Sequence, residues 1–359
     1  MPISAVDSIG PAFQHTKQQL LQPFRFSQWT KLALVGLLAG ELSSGGCNTG
    51  GFNYNQTGTH RFVADAFAAT PANPALYGLM VLFLIMAGVL LFFVFIYISS
   101  VMRFVLFDGV IAKTCEIRRG WERRHGPGLR YFVWQLLMLV AGMFGFIILI
   151  GIPAAIATAG GWLKEPKAHL LPLILGGMVL FFLLFGFVVL YLTVHVMSKD
   201  FVVPQMALEE ISAIEGWRRL LPMLKVEKGA YVGYVGLKVV MTIGVSVVIG
   251  IIASIVILIM LIPVGGVGAI VVLAGKTAGL NWNLYTITLA VVVGAVVVAG
   301  ILYVVSLISV PATVFFPAYS IYFFASRYAP LNALLHPAPP VAAYIPPAPE
   351  PLPPPEPIA

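Results

Sequence analysis

Few residues in this chain combine a reactive type with a setting that could use it. Lys238 is the only lysine well inside a long apolar stretch, and an ionisable group there is a functional candidate by default because burying it is costly. Measured from a helix start near Ala230 it lies about 12 Å along the axis. From that depth the four-carbon stem can carry the ammonium back to the headgroups, so snorkelling is the expected state. The alternative is a buried ion pair with Glu41, if the bundle brings that residue inward from the outer face, or with His195, which reads first as an interfacial histidine. Searching for catalysis finds no His-Glu-x-x-His pair, no Gly-x-Ser-x-Gly elbow and no paired aspartates within apolar stretches. Cys47 and Cys115 lack metal-ligand spacing. The expectation is a non-enzymatic protein, with no catalytic, cofactor-binding or metal-binding residue assigned.

What must position Lys238 follows from composition. Of 359 residues, 59% are hydrophobic and only 10% charged, with a mean hydropathy of +0.95, whereas soluble domains run near a quarter charged. The solvent for such a chain is lipid. A net charge of +7 raises nucleic acid as a partner, but the basic residues lie between long apolar runs, where anionic headgroups and membrane topology explain them. Nucleic acid is therefore not an expected partner.

The expected fold is an all-α polytopic transmembrane bundle. Stretches long enough to cross about 30 Å of hydrocarbon fall near 75–101, 131–153, 170–197, 231–262 and 284–311. A sixth, about 29–43, is cut short by Glu41 and the glycine-rich run that follows, and reads as either a short tilted span or a half-insertion. With six spans and the N-terminus inside, 17 Lys and Arg fall on one side and four on the other. The positive-inside rule then places both termini in the cytoplasm of a prokaryotic inner membrane. All six tryptophans sit at or just outside span ends, where indole prefers the headgroup layer. The opening residues lack the layout of a cleaved signal peptide.

The long inner connections carry one pattern twice, at an offset of 96 residues: Val105-Leu106-Phe107-Asp108 with Gly120-Trp121, and Phe201-Val202-Val203-Pro204 with Gly216-Trp217. Apolar residues recur between these anchors at helical spacing, so each connection reads as an amphipathic helix on the cytoplasmic surface. Arg118, Arg119, Arg123, Arg124, Arg218 and Arg219 are the expected contacts with anionic lipid headgroups. A third, truncated copy begins at Phe316-Pro317. Glu209 and Glu210, with Arg218 and Arg219 nearby, resemble the glutamate-rich motif of membrane prenyl-proteases, but the downstream intramembrane histidines are missing, and a solvated helix face is expected.

Small residues in 231–262 and 284–311, among them Gly233, Gly236, Gly244 and Ala290-x-x-x-Gly294, are expected to serve close helix packing. Pro153, Pro263 and Pro311 are expected to mark span ends. The apolar run Ala269–Leu273 reads as a re-entrant segment, and Ser43–Pro74 as a flexible connector. The integral domain is read as 1–335. Residues 336–359 form a proline-rich tail that cannot build a core, a spacer or a docking segment for a protein partner.

The opening Ile9-Gly10-Pro11-Ala12-Phe13, the run Gln22-Pro23-Phe24-Arg25-Phe26-Ser27-Gln28-Trp29 and the loop ending Gly50-Gly51-Phe52-Asn53 resemble the start of a family of uncharacterised prokaryotic multi-spanning proteins. These are similar in layout to the membrane domain attached to some glycerophosphodiester phosphodiesterases. The resemblance implies a six-helix bundle with interfacial helices and carries no diesterase residues. The expected role is membrane-organising or accessory, with a small-solute or lipid transporter as the alternative.

Overall fold

A computed structural model of the chain describes residues 3–41, 74–162, 167–277 and 284–336. Its helices are α1 (Ile9–Leu21), α2 (Phe26–Leu38), α3 (Pro74–Ile111), α4 (Ile117–Ala159), α5 (Leu170–Met197), α6 (Val203–Glu209), α7 (Ala213–Val226), α8 (Lys228–Thr277), α9 (Leu284–Ala325) and α10 (Ala329–Leu335). A π-helical turn, Ser198–Val202, joins α5 to α6 without a break. No strand occurs among the described residues.

Five helical runs are long and apolar enough to cross a membrane: α3, α4, α5 with its continuation into α6, α8 and α9. They coincide with the five long expected spans, but they are longer. At 1.5 Å per residue, the 50 residues of α8 reach about 75 Å, well beyond the hydrocarbon thickness. Helices therefore run on where proline suggested an end: α4 passes through Pro153, α8 through Pro263 and α9 through Pro311. In lipid no water competes for the freed carbonyl, so proline stops a helix less readily there than in water. The expected re-entrant segment at Ala269–Leu273 is likewise part of α8. The short stretch at 29–43 corresponds to α2, whose 13 residues give about 20 Å and do not by themselves cross.

Packing is unequal along these helices. In the most apolar windows of the five runs at most 11% of residues are buried against protein, so these parts face lipid. The buried residues concentrate instead in three blocks: Ser100–Val110 at the end of α3, Met197–Ala207 through the π turn into α6, and Val305–Ala325 in the second half of α9. These blocks are the three copies of the sequence repeat. The elbows thus form the core of a body at one end of the bundle instead of lying on the surface as separate helices. Each of the first two ends in a left-handed residue, Lys113 (φ 56°) and Glu210 (φ 54°), which stops the helix and turns the chain.

Two features of the repeat acquire a packing role. The glycine of each Gly-Trp pair lies against an elbow, Gly120 on Val105 and Gly216 on Val202, where a larger residue would hold the helices apart. Three of the six tryptophans bond within the body, while Trp162 lies at the far end of α4 beside His169 and Trp282 lies outside the described residues. Trp134 and Trp217 both donate to Ser198 Oγ, at 3.1 and 3.0 Å, and Trp29 donates to the Leu307 carbonyl at 2.9 Å. Aromatic rings fill the centre, with Tyr234 stacked on Tyr319 and Phe323 at centroid distances of 5.0 and 4.6 Å.

The chain ends described here meet at this same body. Helix α1 lies across α3 and α9: His15 Nε2 donates to the Val110 carbonyl (2.8 Å), which fixes the proton on that nitrogen and leaves Nδ1 to accept from Tyr322 Oη (3.2 Å). Arg327, just after α9, donates to the Ile3 carbonyl at 3.1 Å.

Candidate functional site

Where α2 ends, α3, α4, the π turn, α8 and α9 converge on a buried set of charges. Lys238 Nζ is paired with Asp200 Oδ2, with side-chain exposures of 8% and 3%. Tyr234 donates its hydroxyl to the same carboxylate oxygen at 2.9 Å. Beside it, Lys199 Nζ is paired with Glu41. Arg103 donates to Tyr131 Oη (2.8 Å) and to the Ala39 carbonyl (3.1 Å), and its guanidinium lies 5.5 Å from the Tyr131 ring centroid.

The expectation that Lys238 snorkels is corrected by this geometry. Helix α8 begins at Lys228, two residues earlier than expected, which puts Lys238 about 15 Å along its axis. At that depth a carboxylate within the protein pairs with the ammonium. Its partner is neither Glu41 nor His195 but Asp200, which the sequence pattern puts in the second inner connection. The pattern did hold a signal for it. At the 96-residue offset Arg103 aligns with Lys199 and Phe104 with Asp200, so the charges occupy corresponding turns of two elbows that continue their spans. Glu41, expected nearer the outer face, pairs with Lys199 in the packed body, because α2 is only 13 residues long and ends beside the elbows.

A cavity of about 30 Å³ opens between the three elbows, where Leu106, Pro204 and Pro317 meet two cations and two carboxylates, Arg103 and Lys199 with Glu41 and Asp200. That is room for about two waters, far below the several hundred Å³ typical of organic ligands.

The arginines expected to touch headgroups separate into two groups. Arg118, Arg119 and Arg218 are exposed and carry only loose pairs with Glu122, Glu116 and Glu215, and Arg123 is exposed beside them. Arg124 is a correction: it forms a two-pronged bond to Asp108, at 2.7 and 2.8 Å, and donates to the Ala207 carbonyl at 2.5 Å. It ties the first elbow to the second. Arg219 pairs with Glu209 and Glu215, and Glu209 also accepts from Tyr328, so the pair latches α7 to α6 and to the segment before α10. Glu209 is therefore not a freely solvated face.

Small-residue positions expected to pack helices are open: a Cβ added at Gly233, Gly236, Gly244 or Gly294 would meet nothing within 4 Å. Close approach occurs instead at Gly128, against Val101. The Cys115 thiol is buried in the turn after α3, and burial pushes its pKa up to about 11, which leaves it protonated and unreactive at neutral pH. Among the described residues no cluster of His, Cys, Asp and Glu could hold a metal ion. Cys47, the Ser43–Pro74 connector up to residue 73, and the tail beyond residue 336 lie outside the described residues.

A family model matches residues 3–334. The chain belongs to DUF7544, a family of unknown function. Neither a curated protein nor a solved structure matches it. The five apolar runs mark this DUF7544 member as an integral membrane protein.

Proposed function

We propose that the protein is a non-enzymatic, multi-pass protein of a prokaryotic cytoplasmic membrane, with both termini cytoplasmic, that organises lipid and envelope partners at its packed end. The observation carrying this reading is the placement of exposed basic charge. Arg118, Arg119, Arg123 and Arg218 are exposed on the helices that leave the elbows, where they can hold anionic headgroups against a rigid body. Their charge enters the same inner-side excess that sets the orientation. The proline-rich tail is the segment suited to a protein partner. The layout shared with phosphodiesterase membrane domains rests on sequence pattern alone and adds a bundle architecture, not an activity.

The test is lipid analysis of the protein extracted with its surrounding bilayer. Anionic phospholipid should be enriched around the parent and lose that enrichment when Arg118, Arg119, Arg123 and Arg218 are changed together to Gln. Equal composition in both would refute the role. A second reading, a small-solute or lipid transporter, is favoured by one observation: buried charges between spans usually mark a transport path. Solute or lipid movement in vesicles containing only this protein would put that reading first.

A further inference from the structure

We propose that the outer face of α1, with the turn leading into α2, is seated in the interfacial layer of one phospholipid leaflet, where Phe13, Leu21, Phe24 and Phe26 reach the upper acyl chains. A helix lying between a protein body and water turns apolar residues inward and polar ones outward. Helix α1 largely does the reverse. Of its five buried residues three are polar, His15, Thr16 and Gln19. His15 bonds the Val110 carbonyl, and Gln19 donates to the Gly109 carbonyl at 2.9 Å, so the inward face docks on the first elbow through polar contacts. Outward stand Phe13, Lys17 and Leu21, spaced i, i+4 and i+8 and so on one stripe. Phe13, Leu21, Phe24 and Phe26 are each more than half exposed, an arrangement that water disfavours and lipid favours.

Two further observations identify lipid as the occupant. One is continuity with surface that already faces lipid. Thr30, near the start of α2, accepts from Tyr303 Oη at 3.5 Å, and Tyr303 closes the exposed apolar stretch of α9 that begins at Leu289. Phe26 is one turn from Thr30, about 6 Å along the axis, so the phenyl cluster borders the lipid-facing band at its end nearest the packed body. The other is charge. Residues 3–40 hold Lys17, Arg25 and Lys31 against a single acid, Asp7, and all three cations are exposed. Apolar side chains flanked by basic ones make a helix that lies in the interface, its apolar face about 5–10 Å deep and its cations at lipid phosphate. A second copy docked on this face would set the same cations against one another, which disfavours self-association there.

The test maps depth in the full-length protein. Phe13→Cys, Leu21→Cys, Phe24→Cys and Gln14→Cys are made singly in a chain carrying Cys47→Ser, with buried Cys115 left in place. Each is spin-labelled in bilayers of phosphatidylethanolamine and phosphatidylglycerol, and collisions with oxygen and with a water-soluble nickel chelate are read by power saturation. Oxygen collisions should exceed chelate collisions several-fold at Phe13, Leu21 and Phe24, and the ratio should invert at Gln14, which is exposed beside the stripe. The proposal is overturned if Phe13 and Leu21 meet the chelate as freely as Gln14, which means water, or if Gln14 matches them in oxygen excess, which means an immersed helix. It is equally overturned if both reagents are excluded or the labels broaden one another, which means a protein partner or a second copy. Anionic-lipid enrichment lost or kept on changing the four exposed arginines leaves these readings unchanged, so the two proposals fail separately.

Discussion

Replacing each member of the Asp200–Lys238 pair should have unequal consequences, and the inequality measures how the network is built. Asp200→Asn keeps the shape and still accepts from Tyr234, but it leaves Arg103, Lys199 and Lys238 facing Glu41 alone. Removing one partner of a buried pair costs about 3–5 kcal/mol, and the rising surplus puts this variant at the upper end. Lys238→Met leaves Asp200 close to Arg103 and Lys199 and still bonded to Tyr234, with two cations against two carboxylates. Its cost should be about 1–2 kcal/mol, the scale of a charged hydrogen bond lost. The double variant restores the parent's surplus and removes both desolvation costs, so it should lie within about 1 kcal/mol of the parent. The coupling between the two sites would then exceed about 2 kcal/mol. Equilibrium unfolding of all four proteins in the same micelle measures this cycle. If the two single effects add to the double within about 0.5 kcal/mol, Lys238 does not depend on Asp200, and the pairing argument fails.

The other expectations are separable from that network. Arg124→Gln breaks the tie from α4 to Asp108 and Ala207 and should lower stability by about 2–3 kcal/mol. Arg123→Gln should leave unfolding unchanged and weaken association with anionic vesicles by at most about 1 kcal/mol. The reverse pattern would contradict their placement. Gly128→Ala drives a Cβ into the Val101 side chain and backbone and should cost about 1–3 kcal/mol. Gly233→Ala, in open space, should be neutral or stabilising by up to about 1 kcal/mol in the same assay. Burial holds the His15 imidazole below its usual pKa, offset by its bond to the Val110 carbonyl and reinforced by Lys113. The unfolded imidazole then binds a proton more readily than the folded one. The stability this group contributes is present above pH 6.5 and is lost as pH falls toward the lowered folded value. Protection of the α1 amides, read against the unstructured exchange rate at each pH, should fall below pH 6 in the parent and lose that pH dependence in His15→Asn.

The apolar runs carried most of the architecture. Around twenty or more uninterrupted apolar residues have one stable state in a bilayer, a helix with its backbone bonds internal, and the five long helices were legible for that reason. The 96-residue repeat was legible too, because Gly120 and Gly216 both have to lie against an elbow. What the elbows do was not. Helical spacing of apolar residues fits equally a helix on a lipid surface and one inside a protein core, and only the convergence of α3, α6 and α9 decides for the core. The charges were the hardest to place. Read along the chain, Arg103, Lys199 and Asp200 look like residues of inner connections, and they count toward orientation as such. Whether a cation meets headgroup or carboxylate is a distance of a few ångströms between segments 38 residues apart for Asp200 and Lys238 and 158 apart for Glu41 and Lys199. No one-dimensional pattern encodes those distances. They are set by the angles at which long helices cross and by where the short helix α2 ends.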